Sequence, residues 1–518
     1  MKRLGFILLI TLTHLGSLLC QNVMISNTNY PEEPSIKINP HNPAYIVAGA
    51  NLNNYYYSSD TGRTWHQGIL TSPYGVWGDP VIDVDTLGHF YFFHLSNPPS
   101  GNWIDRIVCQ KSTDNGQTWS VGTYMGLNGS KAQDKHWSVV DRKTNTIYVT
   151  WTQFDVYGSS NPADSSIILF SKSIDGGQTW DPALRINQKA GDCIDSDNTV
   201  EGAVPAVGPN GEVYVAWAGP AGIRFDRSTD GGASWLDEDI LIDPMPGGWD
   251  YDIPGISRCN GLPITKCDLS GGPYHGTIYV NWTDQRNGLN DTDVWLAKST
   301  DGGFTWSAPR RVNDDPPGKH QFFTWMDVDQ TNGWLWFVFY DRRNYNDNRT
   351  DVYLAISMDG GETFINRKIS ESPFIPNSGI FFGDYTNISV HNNIVRPIWA
   401  RLHNGQLSVY TDITPVEQIL TGTTEPSSAA EAEHFEAYPN PANEKFYMSF
   451  KIHAPTPVTL KIFDSAGRLA ATPIDGVVYD YGKHIVELQP VQLGLKPGNY
   501  LCTLHVEGKT ITRKLTVN

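Results

Sequence analysis

The chain has 518 residues, with 38 Lys+Arg against 55 Asp+Glu and a formal net charge of −17. That acidic balance excludes a nucleic-acid coat, because phosphate binding needs a basic surface, and the apolar content excludes wholesale disorder. Low charge (18%) with 17 Trp, 24 Tyr and 48 Gly predicts β structure with many tight turns.

In chain order, residues 1–20 read as a secretory signal peptide: a basic Met1-Lys2-Arg3 start, then a mostly apolar run from Leu4 to Leu19. The run is too short for a membrane span, and no later segment reaches the roughly 18 apolar residues a transmembrane helix needs. A lipoprotein reading of Cys20 is the weaker alternative, since Leu19 stands where a small residue is wanted. Five cysteines follow. Cys259 and Cys267, eight apart in a Gly/Pro-rich loop, are expected to form a disulfide; Cys109 and Cys502 lie in strand-like runs and read as buried thiols.

From residue 21 to 413 the sequence is organised by repetition. The pattern Ser-x-Asp-x-Gly-x-Thr-Trp recurs six times, with Ser234 in place of the Thr in the fourth copy and Phe364 in place of the Trp in the last. Its aspartates are Asp60, Asp114, Asp175, Asp230, Asp301 and Asp359, spaced 54, 61, 55, 71 and 58 residues apart. The chemistry is that of a hairpin turn. The Asp carboxylate accepts local backbone N–H groups, the Gly takes a left-handed conformation, and the hydroxyl adds a local bond. These aspartates are therefore structural. A strand such as Asp293–Lys298 precedes each octet, two strands precede that one, and a fourth follows. Four antiparallel strands every 50–70 residues describe propeller blades. Pairs of first and second strands start near residues 35, 79, 136, 203, 262, 323 and 383, which favours seven blades over six. The seventh lacks an octet and a fourth strand, and Asn22–Ser26 could supply that strand and close the ring.

The octet motif resembles the Asp-box, or BNR, repeat of sialidase-like β-propellers. The fold class expected is all-β, a propeller followed by a small C-terminal β-sandwich. Strand direction puts the starts of the innermost strands and the ends of the second strands on one face, opposite the octets. That face offers Asp79, Asp134, Lys135, Trp137, Glu201, Asp252, Trp325, Asp384 and Tyr385 from first strands. Second strands offer Gln153, Asp155, Asp284, Arg286, Asp341, Arg342, Arg343 and Arg401. Carboxylates, guanidinium groups and aromatic rings together suit a sugar.

The resemblance implies a sialidase-like glycoside hydrolase, with Asp79 as acid, Glu201 as base and Tyr385 as the nucleophile that Glu201 activates. It also implies Arg286 and Arg342 on a substrate carboxylate, with Asp134, Asp341, Arg343 and Arg401 as further substrate-binding residues. The family's first arginine has no counterpart: between Lys37 and Asp105 the one arginine is Arg63, inside an octet. The alternative is a non-catalytic propeller that binds glycan or protein at the cell surface. A third reading is a hydrolase or lyase acting on another substrate, such as an acidic polysaccharide. Asp284/Arg286 and Asp341/Arg342 also read as ion pairs tying neighbouring blades. No cofactor is expected. The Asp/Asn cluster of residues 344–351 has calcium-type donors but matches no known loop pattern. His89, His94 and His136 show no metal-ligand spacing.

Residues 414–433, rich in Thr, Ser, Pro, Ala and Glu, read as a linker. Residues 434–518 carry Tyr438-Pro439-Asn440-Pro441-Ala442, Val458–Asp464, Gly467-Arg468, Leu495–Tyr500 and Ile511–Val517. This tail closely resembles the C-terminal sorting domain of the type IX secretion system of Bacteroidetes. It implies the secretion machinery as partner and export through periplasm and outer membrane, to the medium or the cell surface.

Overall fold

The computed structural model describes residues 21–421, 435–452, 456–479, 482–506 and 509–518. The signal reading and most of the linker reading lie outside these residues.

Seven four-stranded antiparallel sheets follow one another along the chain. Their innermost strands are Ser35–Ile38, Val81–Val84, Ala132–Val140, Glu201–Val207, Ile264–Cys267, Gln321–Asp329 and Asn387–His391. Each packs beside the next, and the seventh packs beside the first. The ring is therefore closed, a seven-bladed propeller. The seventh sheet takes its outer strand from the N-terminus: Asn22–Ser26 pairs antiparallel with Gln406–Asp412, Asn22 opposite Asp412. Joining first and last segments in one sheet removes the open edge that a ring of blades would otherwise leave.

The octets fold alike. In all six copies the Ser hydroxyl donates to one Asp oxygen. The Thr or Ser hydroxyl four residues on donates to the other, at 2.6–2.7 Å. The turn glycine cannot be replaced cheaply. Gly232 has φ +89°, and a Cβ there would stand 2.3 Å from the Phe170 ring of the preceding blade. Each octet links the third and fourth strands of its blade, as in Ser58 to His66.

The second strands of blades three to seven each bury one tryptophan completely: Trp151, Trp217, Trp282, Trp336 and Trp399. At about 150–250 Å² per ring and roughly 25 cal/mol/Å², each contributes about 4–6 kcal/mol of gross apolar burial.

Two sequence expectations differ from the structure. Val416–Thr421, read from composition as linker, is a short helix whose Val416, Ile419 and Leu420 are buried. Their i, i+3, i+4 spacing is the helical apolar stripe that the Thr/Ser/Pro content obscures. The Cys259–Cys267 disulfide is absent. Cys109, Cys193, Cys259, Cys267 and Cys502 are all free and buried. Cys259 pairs opposite Tyr251 in a two-stranded hairpin, whereas Cys267 ends the innermost strand of blade five in a different apolar cluster.

The tail forms a three-stranded and a four-stranded antiparallel sheet around its own core of Phe435, Phe446, Leu460, Ile462, Cys502 and Leu504. It touches the propeller through the Trp334 indole N–H to Gly467 O (3.0 Å) and Lys461 to Asp359 (3.3 Å).

Candidate functional site

One local device shapes the face opposite the octets. At or just before the start of the innermost strand, a residue takes a left-handed conformation: Glu33 (φ 50°), Asp79 (49°), Lys135 (47°), Gly202 (74°) and Phe323 (49°). In blades three, four and six the register slips there, between Asp134 and Trp137, Glu201 and Val204, and Phe322 and Trp325. Such bulges re-aim side chains, and conformations of this kind cluster at functional sites. Here they bring charged residues of several blades to one mouth of the central channel.

The mouth is a network of ions. Lys135 Nζ lies 2.7 Å from Asp384 and 3.5 Å from Asp79. Arg258, carried by the hairpin between blades four and five, grips Asp384 with two nitrogens, one of them at 2.7 Å, and reaches Asp195 at 3.5 Å. The Asp384 N–H donates to Glu33 Oε1 (3.1 Å), and Asn51 donates from its side chain to the other Glu33 oxygen. Asn51 Oδ1 also accepts the Asp79 N–H (2.7 Å), and Asn260 Nδ2 donates to Asp384 O (3.0 Å).

Burial and these partners push the carboxyls apart. Burial raises Asp134 to about 7, and the Asp79 and Asp195 charges add to it against Lys135. Burial likewise raises Glu201, with Asp195 adding, and raises Glu32 and Glu33. Burial opposes ionisation of Asp79 and Asp384 too. Lys135, the Glu33 hydrogen bond and His136 together outweigh it at Asp79, and Lys135 with Arg258 outweighs it at Asp384, so both fall below the ordinary carboxylate range.

Below this network the channel is plugged by aromatic rings. Trp137 lies 4.3 Å from Trp325 and 5.0 Å from Tyr385, centroid to centroid. The plug separates two cavities. The upper one, about 420 Å³, is lined by Lys135, Gly202, Asn260, Asp384 and Tyr385. The lower one, about 1040 Å³, opens at the other ends of the innermost strands. There Lys37 pairs with Asp83 (3.8 Å) and Lys266 with Asp327 (3.2 Å).

Of the residues expected from sequence, Asp79, Asp134, Glu201 and Tyr385 belong to this mouth. Their expected relationship is not found. Both Glu201 oxygens and the Tyr385 hydroxyl lack hydrogen-bond partners, so Glu201 does not activate Tyr385 in this arrangement, and burial raises the phenol. The arginines do not converge. Arg286 bonds Asp284 and Asp243 and stacks over Trp295 (4.5 Å). Arg343 holds Asp341 (2.8 Å) and stacks over Tyr353 (4.3 Å). Asp341 therefore pairs with Arg343, not with Arg342. Arg342 donates to Pro254 O and Thr350 and stacks over Phe322. Arg401 reaches Ser372 and stacks over Tyr410. The physical reason is local: a guanidinium two residues from a buried carboxylate folds back on it, or finds a carbonyl, sooner than it crosses the channel.

Sequence reading passed over Glu32, Glu33, Asn51, Asp195, Arg258 and Asn260. Glu33 precedes the first innermost strand by two residues, as Asp79 precedes the second, and that equivalence was a usable signal. Arg258 stands in an irregular loop with no periodicity to place it. Among the described residues no group of three or more His, Cys, Asp or Glu is arranged to hold a metal ion. In the 344–351 cluster, Asp347 pairs with Arg349 and Asp351 accepts from Tyr345. Among the described residues no helix is long and apolar enough to cross a membrane.

Residues 436–518 match the family "Secretion system C-terminal sorting domain". The tail is thus a type IX secretion sorting domain that engages the secretion machinery, and the chain is exported to the cell surface or beyond. Comparison by sequence with curated proteins returns no match. Similar solved structures include a "Hadza microbial sialidase" at 14% identity and TM-score 0.42, covering 72% of this chain and 74% of that one. A protein of unknown function from Dyadobacter fermentans aligns at 13% and 0.44, covering 76% and 97%. A PL25 ulvan lyase bound to -[GlcA(1-4)Rha3S]- aligns at 13% and 0.44, covering 79% and 99%.

Proposed function

We propose that this is an exported propeller that binds and cleaves glycans at the channel mouth opposite its octets. One observation carries the reading. Ionised and proton-holding carboxyls from different blades meet at one channel mouth, above a floor of aromatic rings. Asp79 and Asp384 are held ionised by Lys135 and Arg258, while burial raises the Asp134 carboxyl to about 7 and raises that of Glu201 as well. Titratable groups driven apart by their surroundings are what acid/base chemistry at a sugar needs, and carboxylates and rings are what hold a sugar's hydroxyls and faces. In this reading Asp134 is the proton donor, Asp384 the fixed negative charge, and Glu201 the second acid.

A sialidase-like hydrolase is the narrower form of the proposal, carried by the octet repeat. It asks for three guanidinium groups on a substrate carboxylate, and among the described residues Arg258 is the one that joins the mouth's ion network, already paired with Asp384. The geometry therefore favours a glycan without a carboxylate at the cleavage point. The alternative, glycan binding without cleavage, uses the same cavity.

The test is a panel of fluorogenic glycosides, a sialoside included, together with a glycan array, using purified mature protein and the variants Asp134→Asn, Glu201→Gln and Asp384→Asn. Turnover lost in the variants supports hydrolysis. Binding without turnover selects the alternative. Neither binding nor turnover on any glycan sinks the proposal, and fast sialoside turnover would restore the narrower reading.

A further inference from the structure

The face that holds the acidic mouth also carries a line of aromatic rings, two of them exposed tryptophans. Trp77 lies just ahead of blade two's innermost strand, and Trp103 lies in the loop after that blade's second strand. Tyr157 lies in the corresponding loop of blade three. Trp77 and Trp103 meet edge to face at 6.1 Å, and Trp103 and Tyr157 do so at 5.4 Å. Trp77 is 37% exposed and Trp103 43%, in a protein whose core tryptophans are fully buried. Both tryptophans therefore keep indole surface open to solvent. The line runs into the mouth: the Tyr157 hydroxyl donates to Asp195 (2.5 Å), Asp195 meets Arg258, and Arg258 grips Asp384. Arg258 itself lies over another exposed ring. Phe381 is 39% exposed, 5.0 Å beneath the guanidinium.

Rings thus run from the ionic centre out through Tyr157 and Trp103 to Trp77, over more than one sugar unit's width. A terminal sugar would use the inner end only; a longer chain uses the whole line. The charge narrows the chain further. The loops beside Tyr157 and Arg258 carry Asp192, Asp195, Asp197, Asp250 and Asp252, with Arg258 the one cation between residues 191 and 200 or 249 and 260. Such a field repels a polyanion within a Debye length of about 8 Å at physiological salt.

Resting on the glycan reading above, we propose that Trp77, Trp103 and Tyr157, together with Phe381 under Arg258, are stacking subsites for an extended, uncharged oligosaccharide that runs out from the mouth. Large rings bind sugar faces at low entropic cost because they have few rotatable bonds.

The experiment is isothermal titration of the mature protein with defined neutral hexose and pentose oligosaccharides, taking each series from one unit to about eight. The proteins compared are wild type, Trp103→Ala, Trp77→Ala, Trp103→Phe and Glu201→Gln, with melting curves to verify folding. Affinity should rise with chain length. Trp103→Ala and Trp77→Ala should each lower it about tenfold for the long members and little for the short ones, and Trp103→Phe should restore most of it, as one aromatic contact predicts. Equal affinity of Trp103→Ala and wild type for long chains would overturn the stacking subsites while leaving the glycan reading intact. So would binding of anionic chains in preference to all neutral ones. If no glycan of any charge or length binds, the glycan reading itself fails and takes the subsites with it.

Discussion

Lys135 is the cation on which the mouth depends, and replacing it with methionine isolates its charge. Met has a similar length and no greater objection to the left-handed backbone at this position, so packing and strain change little. The ammonium lies 2.7 Å from Asp384 and 3.5 Å from Asp79, with its side chain 9% exposed. Removing one partner of a buried ion pair costs about 3–5 kcal/mol. Asp384 keeps Arg258, whereas Asp79 loses its one ion-pair partner, so the lower end, about 3 kcal/mol, applies. For a propeller of roughly 390 residues the unfolding entropy is about 0.8 kcal/mol/K, which makes the loss about 4 °C in Tm. The pH dependence follows from the same pairs. Asp79 and Asp384 have folded values below the ordinary carboxylate range. Their contribution is therefore present above about pH 4 and is lost as pH falls through the folded values. The gap between wild type and Lys135→Met should be full at pH 7 and shrink toward pH 3. Glu32 and Glu33, raised by burial, take protons first and begin closing the gap in the variant earlier. Calorimetric melts of both proteins across that range are the assay. A shift under about 1 °C at pH 7, or one unchanged at pH 3, would refute the view that Lys135 neutralises this cluster.

Three further outcomes are expected. If Asp134 acts in its protonated form, turnover and binding should fall above pH 7, where its raised carboxyl ionises, and a pH–binding profile of Asp134→Asn should lack that limb. Asp175→Ala removes an acceptor of two hydroxyls and two backbone N–H groups. It should cost about 1–2 kcal/mol, read as a Tm lower by roughly 2 °C, with glycan binding unchanged. The Asp175 carboxyl is lowered to about 2, so this loss should persist above about pH 4 and fade as pH drops through 2. A mature chain lacking residues 1–20 should titrate five thiols with Ellman's reagent after unfolding without reductant, and none when native, because all five cysteines are free and buried. Three thiols on unfolding would restore the Cys259–Cys267 bridge.

The amino-acid sequence by itself determined the blades, because their instructions are local. Each octet closes on bonds among eight neighbouring residues, so Ser173, Asp175, Gly177 and Thr179 build the same turn wherever they stand. The spacing of the octets then sets the repeat, and the absent fourth strand of the last blade points to Asn22–Ser26 as the closing strand, which pairs as expected. The tail's motifs were equally legible, since they lie within one short unit. The site was half legible. Strand direction gives the face on which Asp79, Asp134, Glu201 and Tyr385 start, but not the partner of any charge. Only the closed ring decided that Lys135 of blade three meets Asp384 of blade seven, 249 residues away. It also decided that Arg258 enters from an irregular hairpin, and that Arg286 and Arg343 fold back on carboxylates two residues off. Turns are fixed by short-range hydrogen bonds. Ion networks are fixed by which distant residues share a desolvated space, and that is a property of the ring as a whole.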